Sequence, residues 1–433
     1  MNVELINTGS ELMLGRVLNT HQQWLCRRLA DLGYVVSRQV AVADTGSAIE
    51  QAAREALTRA DLVITTGGLG PTSDDLTRDL IAQLLGRTLR EDAAIVQHLE
   101  QFFAVRKRPM PASARRQALV PEGATVLENP NGTAPGLAIE VAADGAGRRQ
   151  DREQPSAPSS SRNKWLIMLP GPPRELRPMF NATVVPLLHR VLPLAHTYVC
   201  CTLRTVGLGE SQVADKIAGP LRDAQARGLD LGYCAHVGAV DVRLAAHGLQ
   251  AVPLVRAAAA RVREQLGASI FAEGDETLEA VIVRLLTERK QTLVLAESCT
   301  GGCLADRLTN VPGASAVLLA GLVTYSDAAK QKFLGVRAET LASYGAVSET
   351  VAREMAEGAR RQTGADFALA VTGIAGPGGG SETKPVGTVF ISLASAGEAR
   401  RLQQFNPFDR ETFKQATANQ ALELLRRTIL ELT

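Results

Sequence analysis

Apolar and amphipathic segments alternate along the first 65 residues of the chain. Apolar runs at residues 3–6, 34–42 and 62–65 are separated by amphipathic stretches at 17–32 and 49–57. This spacing predicts a β-α-β-α-β unit. Strands that alternate with helices form a parallel sheet covered on both faces, and ligand sites in such sheets lie at the carboxyl ends of the strands. We therefore predict an α/β domain whose loops after the strands carry its chemistry.

The same patterns predict two further units downstream. Residues 176–270 show a strand, a helix, a strand pair and an alanine-rich helix, which indicates a small α+β module. Residues 271–433 contain a buried strand at 292–296, further alternating elements and a long closing helix. Residues 145–163 are rich in Gly, Ser, Pro, Arg and Gln without periodicity, which is typical of a disordered insertion. We predict three domains, at residues 1–175, 176–270 and 271–433.

Composition excludes several classes of protein. With 45% hydrophobic and 21% charged residues, the chain is ordinary for a globular protein and too apolar for a largely disordered one. Its formal net charge of +2 gives no basic field to hold nucleic acid or an anionic membrane. The longest nearly uncharged apolar stretch, residues 311–325, is shorter than the roughly 20 residues that span a bilayer. We expect neither nucleic acid nor a membrane as a partner.

Cysteine usage and the N-terminus indicate a cytoplasmic protein. The six cysteines lack paired C-x-x-C spacing, which favours reduced thiols over disulfides or a zinc site. The N-terminus has neither the basic region nor the long apolar region of a secretory signal.

The distribution of histidine restricts the chemistry of the third domain. All six histidines lie at or before His247, so no imidazole is available after it. A Ser or Cys nucleophile in that domain would need a Lys, a Tyr or a carboxylate as its base. A lysine is the leading candidate.

A candidate nucleophile follows the buried strand at residues 292–296. Ser298 in the motif ESCTGG is predicted to lie in a strand-to-helix turn, where N–H groups at the helix start can bind a phosphate or an oxyanion. Alternatively, Ser298 or Thr300 only caps the helix. Cys299 competes as nucleophile, although no histidine is near it to lower its pKa.

Candidate activating groups follow at residues 323–330 (VTYSDAAK), where Tyr325 and Lys330 lie close together at the start of a helical pattern. A partly buried lysine loses affinity for its proton and can take one from a serine hydroxyl. Tyr325 would relay that proton or hold the lysine. The alternative is a solvated Lys330 and a packed Tyr325, and Lys332 is equally available in sequence.

Further along, the glycine-rich segment at residues 372–381 follows an apolar strand, which favours ligand binding over a merely flexible connection.

Three motifs together resemble the CinA family: residues 66–77 (TGGLGPTSDDLT), 297–302 (ESCTGG) and 372–377 (TGIAGP). The resemblance covers essentially the whole chain. It implies a molybdopterin-binding-like α/β N-terminal domain, a KH-type α+β middle domain and an α/β C-terminal nicotinamide-nucleotide amidase domain. The amidase domain would convert nicotinamide mononucleotide to nicotinate mononucleotide and ammonia without a cofactor. Relatives commonly form dimers, so we expect a homodimer.

The resemblance also implies roles for individual residues. Ser298 matches the family's nucleophile, and Lys330 with Tyr325 matches the pair that activates it. The candidate substrate-binding residues are Thr300, Gly301, Gly302, Thr372, Gly373, Gly376 and Arg410. Lys414 stands where relatives often carry an arginine. The alternative to an enzyme is a non-catalytic nucleotide-binding or regulatory CinA-like protein, which would release no ammonia.

The first domain carries a second candidate site. Some molybdopterin-binding-like domains are linked to a metal-dependent ADP-ribose pyrophosphatase activity. Asp74, Asp75 and Asp79 follow the glycines of residues 67–70, and Asp44 ends another strand. Such carboxylates suit a divalent cation that bridges phosphates, so we predict Asp44, Asp74 and Asp75 as metal ligands. Alternatively, Asp74 or Asp75 only caps the next helix.

The middle domain lacks a basic Gly-x-x-Gly clamp, so we expect it to space the other domains and not to bind RNA.

Overall fold

The computed structural model describes residues 1–142, 163–397 and 399–431. These residues form two compact units, Met1–Tyr198 and Val199–Thr433. The insertion predicted at residues 145–163 lies outside the described residues except for Asn163.

The first unit is a six-stranded sheet covered by helices. Its strands are β1 (Val3–Thr8), β2 (Val36–Val42), β3 (Leu62–Thr66), β4 (Leu89–Glu91), β5 (Leu119–Pro121), β6 (Thr125–Leu127), β7 (Gly136–Val141) and β8 (Lys164–Leu169). Its α-helices are α1 (Ser10–Met13), α2 (Thr20–Asp31), α3 (Gly46–Arg59), α4 (Thr77–Leu84), α5 (Ala93–Val105), α6 (Pro173–Met179) and α7 (Val185–Val191). The strand order is β2-β1-β3-β8-β7-β6, with β2, β1, β3 and β8 parallel, while β4 and β5 form a separate antiparallel pair. The predicted β-α-β-α-β opening is confirmed.

The helices after residue 172 pack into this first unit. Because α6 spans Pro173–Met179, the boundary predicted after residue 175 falls inside a helix. Phe180 and Leu188, which lie beyond that boundary, share a buried core with Leu5 and Ile64 of the sheet. The first unit therefore extends beyond the boundary predicted after residue 175, because the apolar faces of these helices are buried against its sheet.

The second unit begins with a four-stranded sheet and two helices. Its elements are β9 (Tyr198–Val206), α8 (Glu210–Ala226), β10 (Asp230–His236), β11 (Ala239–His247), α9 (Ala251–Leu266) and β12 (Ile270–Glu273). The sheet order is β10-β11-β9-β12. One apolar core joins both helices to this sheet, as expected for the predicted α+β module.

The remainder of the second unit is a five-stranded sheet between helices. Its strands are β13 (Leu293–Glu297), β14 (Leu318–Val323), β15 (Phe367–Gly373), β16 (Thr388–Ala394) and β17 (Ala399–Phe405). Its helices are α10 (Leu278–Arg289), α11 (Cys303–Thr309), α12 (Asp327–Leu334), α13 (Ala338–Tyr344), α14 (Glu349–Thr363) and α15 (Arg410–Ile429). The order is β14-β13-β15-β16-β17, and β13 lies parallel to both β14 and β15.

The interior strand β13 shows why helices cover both faces of this sheet. Side chains alternate between the two faces of a strand. Leu293 and Leu295 enter the core formed with α10 and α15, whereas Val294 and Ala296 enter the core formed with α14. Because β13, β14 and β15 are parallel neighbours, their carboxyl ends meet at one edge. The turns that follow these three strands therefore lie close together.

Candidate active site

Ser298 and Lys330 meet at the carboxyl edge of the C-terminal sheet. Ser298 follows β13, and its amide continues the strand pairing by donating to the carbonyl of Val371 in β15. Lys330 lies in α12, the helix that follows β14. Its Nζ is 3.2 Å from Ser298 Oγ. The structure thus brings together a hydroxyl and an amine that are 32 residues apart in sequence.

Lys330 is buried, and main-chain carbonyls hold its amine. Its side chain is 1% exposed, and Nζ donates to the carbonyls of Thr324 and Tyr325 at 3.0 and 3.1 Å. Burial lowers the pKa of Lys330, whereas Asp327, 4.0 Å away, raises it by a smaller amount. The solvated alternative is therefore wrong for Lys330. It describes Lys332, which is exposed.

The other readings of the Ser298 turn do not match the structure. The N-cap residue of α11 is Gly302, and the helix-start amides donate to Glu297, so neither Ser298 nor Thr300 caps this helix. Cys299 is buried, and burial raises the pKa of its thiol to about 12, which disfavours the nucleophilic thiolate. Thr300 is also buried, and its hydroxyl has no hydrogen-bond partner within the described parts of the chain.

Glu297 occupies the start of α11, where the sequence predicted free N–H groups. This carboxylate is fully buried and accepts from the amides of Gly302 (3.0 Å), Leu304 (3.1 Å) and Ala305 (2.9 Å). The amide of Gly301 donates to the carbonyl of Ser298. The amides of Gly301 and Gly302 are therefore already engaged and are not free to bind an anion. Those of Cys299 and Thr300 make no hydrogen bond to a protein oxygen of the described residues.

Arg410 joins two of the loops at this edge. It is the first residue of α15, and its Nη2 donates to the Tyr325 hydroxyl at 2.6 Å. Its Nη1 donates to the carbonyl of Gly376 at 2.9 Å. Tyr325 thus contacts Lys330 through its main-chain carbonyl and Arg410 through its phenol.

The glycine-rich segment after β15 is partly used by the fold itself. Thr372 is buried, and its hydroxyl donates to the carbonyl of Ala346 at 2.9 Å. Gly373 is the last residue of β15, where a Cβ would lie 2.8 Å from the carbonyl oxygen of Thr388. Gly376 adopts a φ of +73°, which favours glycine. These contacts give Thr372 and Gly373 a structural role in the absence of any ligand.

A cavity of about 550 Å³ lies beside Gly301 and Gly302, which follow the candidate nucleophile in sequence. Its lining residues are Gly301, Gly302, Cys303, Asp306, Arg410, Glu411, Lys414 and Gln415. Neither Ser298 nor Lys330 is among them. The charged residues of the lining are two cationic ones, Arg410 and Lys414, and two acidic ones, Asp306 and Glu411.

In the first unit, the predicted metal ligands do not form a cluster. Asp44 accepts from the amide of Ser10 at 2.8 Å, and Asp75 accepts from the amide of Thr72 at 2.9 Å. Asp74 is exposed. Within residues 1–142, 163–397 and 399–431, no three His, Cys, Asp or Glu side chains are placed to hold a metal ion. As placed, these carboxylates do not fit a divalent cation site.

The nearby Asp79 is engaged by arginine. Its carboxylate pairs with Arg78 at 3.1 Å and with Arg116, which lies 37 residues further along the chain. Asp79, which lies close in sequence to the predicted ligands Asp74 and Asp75, is therefore paired with arginine.

Comparisons with known proteins bear on the whole chain. A family model of the CinA C-terminal domain matches residues 275–429, one of the damage-inducible protein CinA KH domain matches 201–272, and one of a probable molybdopterin binding domain matches 4–190. A CinA-like protein from Akkermansia muciniphila is 43% identical over 425 residues, covering 98% of this chain and 96% of that protein. The chain belongs to the CinA family. The predicted family and fold class are confirmed.

Two further similarities extend the comparison. A putative competence-damage inducible protein from Symbiobacterium thermophilum is 44% identical to this CinA-family chain over 453 residues, covering 99% of each. The crystal structure of competence/damage inducible protein CihA from Agrobacterium tumefaciens is 44% identical, with a TM-score of 0.34, and covers 34% of this chain and 91% of that one. No helix in the described part of this CinA-family protein is long and apolar enough to cross a membrane.

Sequence reasoning missed the role of Glu297 in this CinA-family chain. The sequence does contain an indication of this role, because an acidic residue directly before a strand-to-helix turn is suited to accept hydrogen bonds from the free amides of the helix. The carbonyl groups of Thr324 and Tyr325, which hold Lys330, left no signal because every residue carries a carbonyl.

We predict that Glu297→Gln lowers the free energy of unfolding by about 2 kcal/mol. Glutamine would present an N–H₂ group to amides that are themselves donors, so at least one amide of the α11 start would lose its acceptor. Chemical denaturation measures the change. The matched control is Glu288→Gln, which alters an exposed carboxylate of α10 and should change stability by less than about 0.5 kcal/mol. Equal stability of both variants would contradict the capping role of Glu297.

Proposed function

We propose that the C-terminal domain is an amidohydrolase that converts nicotinamide mononucleotide to nicotinate mononucleotide and ammonia. The observation that carries this proposal is the 3.2 Å approach of Lys330 Nζ to Ser298 Oγ in a buried setting. An amine with a lowered pKa can act as the base where no histidine is present. The CinA family membership supports the choice of substrate class.

Burial favours the neutral amine of Lys330, and the surrounding carbonyls hold it in an orientation that suits a base. A neutral amine has two N–H bonds and one lone pair. The carbonyls of Thr324 and Tyr325 accept those two N–H bonds, which leaves the lone pair for the hydroxyl proton of Ser298. Two fixed acceptors therefore aim the basic electron pair of Lys330 at the nucleophile.

The reaction then follows in two halves. Ser298 Oγ attacks the carboxamide carbon while its proton passes to Lys330, which gives a tetrahedral oxyanion and an ammonium group on the lysine. The C–N bond breaks, and Lys330 returns the proton to the leaving nitrogen, which departs as ammonia. Water next attacks the ester as Lys330 takes its proton. The Ser298 oxygen leaves, recovers that proton, and nicotinate mononucleotide is released.

Oxyanion stabilisation is assigned to the main chain of the turn. The amides of Cys299 and Thr300 have no protein oxygen as acceptor within the described residues, and they directly follow the nucleophile. Amides after a nucleophile are common donors to such an oxyanion. In the structure these two amides hydrogen-bond to the Cys299 sulfur, a weak acceptor that the oxyanion would replace.

The phosphate of the substrate is assigned to the cavity beside Gly301 and Gly302. Because Glu297 occupies the start of α11, the phosphate cannot use those helix amides. Lys414 lines the same cavity and supplies an ammonium group. As a point charge it can bind a phosphate oxygen, although without the two-point geometry of an arginine.

The direct test is ammonia release by the purified full chain from three substrates: nicotinamide mononucleotide, nicotinamide riboside and nicotinamide. We expect the mononucleotide to be the best substrate, with nicotinate mononucleotide formed in equal amount. A protein that binds the mononucleotide and releases no ammonia would be the regulatory alternative. We do not extend the proposal to pyrophosphate hydrolysis, because Asp44 and Asp75 are engaged by main-chain amides and form no cluster with Asp74.

We predict that Lys414→Ala raises KM for nicotinamide mononucleotide by roughly 10-fold, the loss expected for one charge-assisted hydrogen bond. The KM for nicotinamide riboside, which has no phosphate, should not change. Steady-state ammonia release measures both. Lys332→Ala removes an equal charge from the exposed face of α12 and is the matched control. An equal effect of Lys414→Ala on both substrates would contradict the phosphate assignment.

A further inference from the structure

Arg410 links three segments at the edge of the C-terminal sheet. It begins α15, donates to the Tyr325 hydroxyl after β14, and donates to the carbonyl of Gly376 after β15. Both acceptors are atoms of the protein. Two of the five N–H donors of this guanidinium are therefore committed to the fold before any substrate binds.

Tyr325 connects Arg410 to the catalytic pair. Its main-chain carbonyl accepts from Lys330 Nζ at 3.1 Å, while its hydroxyl accepts from Arg410 at 2.6 Å. The residue is 58% exposed, so packing contributes little to its position. A hydrogen bond to a guanidinium that α15 anchors is the contact that fixes its phenol.

We infer that Arg410 is a positioning residue for the general base, acting on Lys330 through Tyr325. By holding Tyr325, Arg410 keeps one of the two carbonyls that orient the lone pair of Lys330 toward Ser298. This inference rests on the proposed function, because it concerns the base of that same site. It assigns to Arg410 a role other than the substrate binding that the family resemblance implies.

The local contacts show why the loop needs this support. The amide of Thr324 donates to the carbonyl of Glu297 at 2.8 Å, so the first carbonyl ligand of Lys330 is tied to β13. Tyr325 is one residue further from the sheet and precedes Ser326, which caps α12. The carbonyl of Thr324 is therefore fixed by strand pairing, whereas that of Tyr325 depends on the side-chain contact to Arg410.

The expected kinetic effect is a loss of turnover. Displacement of a catalytic group by about 1 Å can cost roughly 100-fold in rate. We expect Arg410→Ala and Tyr325→Phe each to lower kcat by roughly 10- to 100-fold, with little change in KM. The double variant should be no slower than the slower single variant, because both changes remove the same contact. Arg410→Lys, which retains one donor group, should recover part of the rate.

The substrate without a phosphate separates the two roles of Arg410. If Arg410 positions the base, Arg410→Ala slows nicotinamide riboside and nicotinamide mononucleotide by the same factor. A rise in KM for the mononucleotide with unchanged turnover of the riboside would assign Arg410 to the phosphate and overturn the inference. Full activity of Tyr325→Phe beside an impaired Arg410→Ala would also overturn it.

A readout that does not require amidase activity keeps this inference separate from the proposed function. Ser298 should be labelled by a fluorophosphonate at a rate that rises as Lys330 loses its proton. In Arg410→Ala and Tyr325→Phe, water should enter around Lys330, and the midpoint of labelling should move to higher pH. Asp327 and Cys299, the titratable groups that interact with Lys330, are unchanged in both variants.

The outcomes of the labelling experiment are distinct. If both variants label Ser298 at the same rate and with the same pH midpoint as the unaltered protein, the proposed role of Arg410 is overturned, even if the protein releases ammonia. Absence of ammonia release by the unaltered protein, together with shifted midpoints in the variants, would reject the amidase function and leave the positioning role intact. Failure of Ser298 to label in the unaltered protein would reject both.

Discussion

Replacement of Ser298 by alanine is expected to lower kcat for ammonia release by at least about 10³-fold. Alanine has no oxygen to form the acyl-enzyme, and the remaining groups can only assist a direct attack by water. The variant should still bind nicotinamide mononucleotide, because the proposed phosphate contact of Lys414 is unchanged. Steady-state ammonia release and binding of the mononucleotide by calorimetry measure the two effects separately.

A matched control separates the loss of the nucleophile from a general loss of serine. Ser343 lies exposed in α13 of the same domain, so Ser343→Ala should retain the full rate. The contrary outcome is specific. If Ser298→Ala retains activity and Cys299→Ala loses it, the nucleophile is the thiol, in spite of the burial that raises its pKa to about 12.

The position of Ser298 illustrates how much of the site sequence reasoning can reach. The apolar run before Ser298 and the helical pattern after it predict a strand-to-helix turn, and the structure has β13 and α11 at those places. A parallel sheet brings successive strand ends to one edge. The meeting of Ser298 and Lys330 could therefore be predicted from two patterns that are far apart in sequence.

Tyr325 illustrates what the sequence does not contain. A phenol near a lysine suggests that the Tyr325 side chain relays the proton or holds the lysine, and the sequence leaves both alternatives open. In the structure the carbonyl of Tyr325 holds Lys330, and the phenol contacts Arg410 instead. Every residue type has the same main-chain groups, so the sequence does not show which of them contribute to a site.

The aspartates of the first unit show a second limit. Asp74, Asp75 and Asp79 are close in sequence and suggested a metal site. Their carboxylates point to different partners, because Asp75 closes its own turn on Thr72 and Asp79 pairs with Arg116 from a distant segment. Short spacing along the chain keeps these carboxylates near one another. Whether a carboxylate is free to bind a metal ion also depends on pairing with an arginine that is distant in sequence.

Replacement of Lys330 by methionine is the second change expected to have a large effect, lowering kcat by roughly 10³-fold through loss of the general base. Methionine keeps a similar length in a buried position and cannot accept a proton. Lys332→Met is the matched control, because it makes the same exchange on an exposed part of the same helix and should leave the rate unchanged. A full rate in Lys330→Met would show that another group activates Ser298.

The pH dependence gives Lys330 a signature that does not depend on turnover alone. The neutral amine is the base, so kcat should rise with pH through the pKa of Lys330, which burial places below 10.5. Between the folded-state pKa and 10.5, the unfolded chain binds the additional proton, so the free energy of unfolding should rise with pH across that window. Lys330→Met should lose both slopes, whereas Lys332→Met should keep both. Denaturant unfolding at several pH values measures the second slope, and its persistence in Lys330→Met would assign the proton to a different group.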